Sequence, residues 1–146
     1  MQGVELRAVT DDERDRAVAF LRQEGYSRAI QDEDRVFAAI RGPEVVAAVR
    51  LANEHGATVL RGMRVRRDLQ RQGVGRALLH QLVRALGTDV CYCIAYRWLV
   101  TFYGEVGFQE VTPSEAPSFL AARHTRYMED GSAVVVMRRT PEPEPR

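Results

Sequence analysis

The sequence predicts an α+β domain, a mixed α/β fold with a sheet flanked by helices, and three observations carry that expectation. Three strand-like runs at 35–40, 45–51 and 58–65 are separated by the turn signals "RGPE" and "NEHG", the pattern of an antiparallel meander. Apolar residues then recur every four positions, at Val74, Leu78, Leu82 and Leu86, which is a helical period. The length, 146 residues, suits one domain with a substantial core.

Residues 4–9 read as a short strand. "TDDERDRAVAFLRQEGY" follows as a helix, with Thr10 or Asp11 as N-cap, acidic residues in the first turn and a stripe at Ala17, Phe20 and Leu21. The meander comes next. The helix after it spans 72–86, with Leu79 and Val83 beside its apolar row and Gly87 as its C-terminal stop. A strand at 90–95, a short helix at 97–105, a strand at 107–111, a short helix in "SEAPSFLAARH" and a strand at 133–138 complete the order. A right-handed crossover through the 72–86 helix makes its flanking strands parallel neighbours. The domain is expected over 1–139, with "TPEPEPR", 140–146, as a disordered proline-rich tail.

Composition removes several function classes. The 21 basic residues are all arginine. Without lysine there is no Schiff base, no pyridoxal-phosphate anchor and no P-loop. A net charge of +1 steers the chain to neither nucleic acid nor membrane. No apolar run approaches a bilayer span and the N-terminus lacks a signal core, so a cytoplasmic location is expected. Cys91 and Cys93 share one face of a strand and read as small buried side chains; no metal site is expected. The apolar final strand, "AVVVM", leaves a homodimer open.

The chemistry points to "QRQGVGRALL", Gln70–Leu79. A helix N-terminus carries unpaired N–H groups and partial positive charge. Proteins usually set Asp or Glu there. This one sets Arg66, Arg67, Arg71 and Arg76 around it, with only Asp68 against them. Cations at that end are unfavourable unless an anion joins them, and glycine lets backbone approach a bulky anion. A dinucleotide fingerprint does not fit, because the third glycine and the later acidic residue are missing.

"QRQGVG", Gln70–Gly75, resembles the acyl-CoA signature of the GNAT family of N-acetyltransferases: Gln or Arg, two residues, Gly, one residue, Gly or Ala. "FYGEVGF", Phe102–Phe108, resembles that family's second segment, and the element order is similar over roughly 4–138. The resemblance implies the GNAT acyl-CoA N-acyltransferase fold, with a mixed, mostly antiparallel sheet, and acetyl-CoA as cosubstrate. It implies that backbone from Arg71, Gln72, Gly73, Val74, Gly75 and Arg76 grips the pyrophosphate. Pantetheine then pairs with the strand at Met63, Arg64 and Val65, and a backbone N–H there polarises the thioester carbonyl. The family's strand bulge falls at Gly62. Tyr103 matches the tyrosine that serves the departing thiolate.

The acceptor is implied only as an amine, and a small one is expected. Arg61 is a candidate for an acceptor carboxylate. Glu54, with His55 and Glu33, is a candidate on the acceptor side, because the family's strand glutamate falls at Val59. Tyr96 and Leu99 stand where the family often has Asn and a small residue. A non-catalytic acyl-CoA sensor, another acyl group and a protein or peptide amine are the alternatives.

Overall fold

The computed structural model describes residues 3–141. Of the expected tail, residues 142–146 lie outside the described residues. Seven strands make one mixed sheet: β1 (Val4–Ala8), β2 (Arg35–Arg41), β3 (Glu44–Glu54), β4 (Ala57–Val65), β5 (Cys91–Tyr96), β6 (Phe108–Val111) and β7 (Val134–Arg139), in the order β1-β2-β3-β4-β5-β7-β6. Four helices flank it: α1 (Asp11–Gln23), α2 (Val74–Leu86), α3 (Val100–Gly104) and α4 (Ser118–Glu129). No described helix is long and apolar enough to cross a membrane.

Two compact units divide the chain: Met1–Asn53 with Leu60–Ala85, and Glu54–Val59 with Leu86–Arg146. In the first, β1 pairs antiparallel with β2, and β2 with β3. Val36–Ile40 and Val46–Ala52 are buried without alternation, so these strands are covered on both faces. Ala17, Phe20 and Leu21 of α1 pack with Tyr26 on Val36, Ala38, Ile40 and Ala48. The small side chains at 38 and 48 leave room for the helix.

Thr10 caps α1 in a capping box, its hydroxyl accepting from Glu13 N while Glu13 Oε1 accepts from Thr10 N at 3.1 Å. Arg7 grips the same carboxylate from β1. Its hydrogen bonds, then that from Thr10 N–H, bring the Glu13 carboxyl from an ordinary 4.5 down to about 2. The native state therefore holds this group ionised where the unfolded chain protonates it. Its stabilisation is complete above about pH 4.5 and vanishes as pH falls towards 2. Thermal melts of wild type and Glu13→Gln are expected to differ by a constant amount above pH 5 and to converge between pH 4.5 and 2. A gap that is unchanged at pH 2.5 refutes the linkage.

In the second unit, β4 pairs parallel with β5 through Thr58↔Cys91 and Val59↔Tyr92, as the crossover requires. β5 and β6 each pair antiparallel with β7. α4 packs on β7, where His124 Nε2 lies 3.0 Å from Val134 O, and α3 packs on β6. Cys91 and Cys93 are buried free thiols, and burial pushes the Cys93 thiol well up. β7 runs between β5 and β6, and Val134–Met137 are buried. Its apolar side chains are used within the chain and give no separate argument for a dimer.

Candidate active site

β4 leads from the sheet into the glycine loop, and its conformation breaks at Gly62, with φ +72. A left-handed glycine at this point is compatible with the strand bulge that the resemblance implies. A Cβ at this position would lie 3.0 Å from Tyr26 Cζ. Gly62→Ala should therefore lower the melting temperature by about 2–8 °C, on the scale of 1–2 kcal/mol for a left-handed non-glycine residue. Gly42→Ala has similar φ, +59, and open space. It is expected to lose less, and equal losses remove the Tyr26 contact from the account.

After β4 the chain makes a 3₁₀ turn, Arg67–Leu69, and enters the loop. Arg66 is paired: its guanidinium bonds Asp68 at 2.6 and 3.0 Å and Glu44 at 2.7 Å. These carboxylates raise the Arg66 pKa, and Arg66 in turn lowers that of Asp68. Gln70 and Gln72 fasten the loop through side-chain bonds to Val65 O (3.1 Å) and Asp68 O (2.8 Å). Arg71 and Gly73 are left-handed, with φ 65 and 84. Such residues turn successive N–H groups to one side.

α2 consequently begins at Val74 and not at Gln72, because left-handed Gly73 cannot be a helical residue. Ala77 N closes the first bond on Gly73 O at 3.0 Å. Val74, Leu78, Leu82 and Leu86 are buried as the period requires. The starts of the longer helices differ. α1 is closed by its capping box and carries Asp11, Asp12 and Glu13 in its first turn, whereas α2, like α4, carries no acid there. Arg67 and Arg71 are exposed beside that start. The site thus offers first-turn N–H groups, a left-handed turn and guanidinium groups, a donor set that fits a pyrophosphate.

The sequence from 5 to 137 matches the model of the acetyltransferase (GNAT) domain. The chain belongs to the GNAT acetyltransferase family. Solved structures share the fold. An acyl-CoA N-acyltransferase from Pseudomonas aeruginosa has TM-score 0.67 at 21% identity, over 94% of this chain and 98% of that one. N-acetylglutamate synthase from Neisseria gonorrhoeae, complexed with coenzyme A and N-acetyl-glutamate, has TM-score 0.66 at 18% identity, over 96% of this chain but 35% of that one. Arabidopsis thaliana Naa50, in complex with the bisubstrate analogue CoA-Ac-MVNAL, has TM-score 0.63 at 16% identity, over 95% and 99%. No curated protein sequence matches the chain.

The other GNAT candidates fall as follows. In the first unit, Met63, Arg64 and Val65 follow Gly62 directly, and Arg61 precedes it; all four are half-buried. Glu33 is an exposed residue of the loop before β2. In the second unit, Tyr103 sits in α3, 6% exposed, edge-on to Phe102 and Phe108 with ring centroids 5.1 and 5.9 Å away. Val59 is a buried aliphatic with no proton to move. Glu54 ends β3 and accepts from Arg123 Nη1 and Nη2 at 2.8 and 3.3 Å. His55 forms the hairpin turn with Gly56, both left-handed, and its ring rests 4.8 Å from that of Phe119. Tyr96 and Trp98 stack in parallel, 4.6 Å apart, and both are exposed.

Sequence reasoning passed over Tyr26, Asp34 and Arg50. Arg50 Nη1 bonds Asp34 Oδ2 at 2.5 Å with the side chains 1% and 2% exposed, while its Nε and Nη2 reach the Tyr26 hydroxyl at 3.1 and 2.5 Å. A signal was present. Arginine inside "VVAAVRLA", a run buried on both faces, requires a carboxylate partner elsewhere.

Proposed function

We propose that this chain transfers the acetyl group of acetyl-CoA to a primary amine of a small molecule, by direct attack in a ternary complex, as one catalytic domain over residues 1–139 in the cytoplasm. The observation that carries this reading is the start of α2, where Arg71 and Gly73 are left-handed and no acid occupies the first turn. Backbone from Arg71 to Arg76 holds the pyrophosphate, and backbone of Met63 and Val65 holds pantetheine and the acyl carbonyl. The amine nitrogen bonds to the acetyl carbon as the C–S bond breaks, and Tyr103 donates a proton or hydrogen bond to the sulfur. The amine's proton leaves through water: Glu54 is engaged by Arg123, and Val59 cannot accept it.

Two second readings have specific support. Val59, in place of the family's strand glutamate, favours a CoA-binding sensor. The peptide-bearing analogue in one structural neighbour favours a peptide amine. Profiling thiol release from acetyl-CoA across small amines and peptide N-termini tests the proposal. Turnover of small amines is expected; turnover of peptides alone would refute the acceptor class.

A further inference from the structure

Gly62 and Arg64 lie two residues apart on β4, and both rest on the Tyr26 ring. A Cβ at Gly62 would meet the ring at 3.0–3.2 Å, and Arg64 Cζ lies 5.5 Å from its centroid. Arg50 Cζ stands 5.4 Å from the same centroid. Two guanidinium groups therefore share one ring. The carboxylate of this cluster, Asp34, is committed: its Oδ2 accepts from Arg50 Nη1 at 2.5 Å and from Gln31 N at 2.9 Å.

Arg64 itself is half-buried, and its Nη1 donates to Met63 O at 2.9 Å. Among the described residues it forms no ion pair, in contrast to its ring neighbour Arg50; Arg14, Arg16 and Arg22 of the same unit likewise form none and bond backbone carbonyls instead. The ring contact and the Met63 bond fix the guanidinium in place. Its Nε and Nη2 edge is the fork that binds the two oxygens of one carboxylate. A fixed cation, partly withdrawn from water and without a counter-ion, favours an anion from outside the chain.

We propose that Arg64 binds a carboxylate on the acyl acceptor, so that the substrate is a small amine that is also an acid. This inference rests on the acetyltransferase reading, which places the acyl carbonyl on the backbone of Met63 and Val65. Arg64 adjoins both residues, about 3.4 Å along the strand from each. A carboxylate on Arg64 thus brings an amine a few bonds away to the reacting carbon. Arg61, the arginine first considered for this role, precedes Gly62 and has its own interactions within the chain.

The test uses the intact protein with L-amino acids, β-alanine and γ-aminobutyrate, each against its amide. Calorimetry on the CoA-saturated protein reads binding, and thiol release from acetyl-CoA reads turnover. At least one acid is expected to bind and react about 10- to 100-fold better than its amide. Arg64→Met should erase that preference, mainly through KM; Arg64→Lys should restore part of it. Acids and amides that behave alike in the wild type, or no acid that binds, would overturn the subsite without any variant. So would a preference for acids that Arg64→Met leaves intact. Acid-selective binding with no turnover of any amine would uphold the subsite and refute the catalytic reading instead.

Discussion

Replacing Tyr103 by Phe is expected to lower kcat about 100-fold, the lower end of what a positioned proton donor contributes, while CoA affinity stays within twofold. The variant deletes one oxygen. The ring keeps its edge-on contacts with Phe102 and Phe108, which pack α3. A phenol O–H can donate to a sulfur that is gaining charge. Loss of that donor leaves CoA as a poorer leaving group without touching the pyrophosphate grip. Thiol release that is the same in both proteins would remove Tyr103 from the mechanism and leave it as part of an aromatic cluster.

Replacing Gly73 by Val should weaken CoA binding about 100-fold or more. Two effects add. A β-branched residue at φ +84 is strained by more than the 1–2 kcal/mol typical of left-handed non-glycine residues, so the loop will relax and scatter its N–H groups. Losing two charge-assisted bonds at about 1.5 kcal/mol each already gives 3 kcal/mol, or two decades in affinity. Nothing lies within 4 Å of the missing Cβ, so the fold itself should tolerate the change. Gly87, at the other end of α2, is also left-handed with open space around it, φ +56. Gly87→Val should cost similar stability and leave CoA binding intact. Titration calorimetry on both variants separates a specific cradle from general loosening; equal CoA affinities would contradict the cradle.

What could be read from the sequence, and what could not, divides along physical lines. The body of α2 was legible because Val74, Leu78, Leu82 and Leu86 repeat on one face. Its first residue was not, since Arg71 and Gly73 adopt a left-handed turn that no propensity announces. α4 reaches Glu129, past the expected end at His124, because "TRYME" holds no stop before left-handed Gly131. The placement of β7 between β5 and β6 is set by pairing that sequence order does not reveal. The glycine loop and Tyr103 stand out in the sequence because short motifs carry them. Arg50 in an apolar run signals a buried partner, but Asp34 and Tyr26 could not be picked out as its partners: the three are scattered over separate segments and meet only in the folded chain. That no described carboxylate pairs with Arg64 is visible only in the folded chain.

The most direct test of acetyl transfer is to follow free CoA thiol and acetylated amine together, by absorbance and mass spectrometry, in one reaction of the intact protein with acetyl-CoA and a small acidic amine. One acetylated amine per thiol released, dependent on both substrates, is the expected result. Saturable CoA binding with no acetylated product from any amine would contradict it and make the chain a CoA sensor.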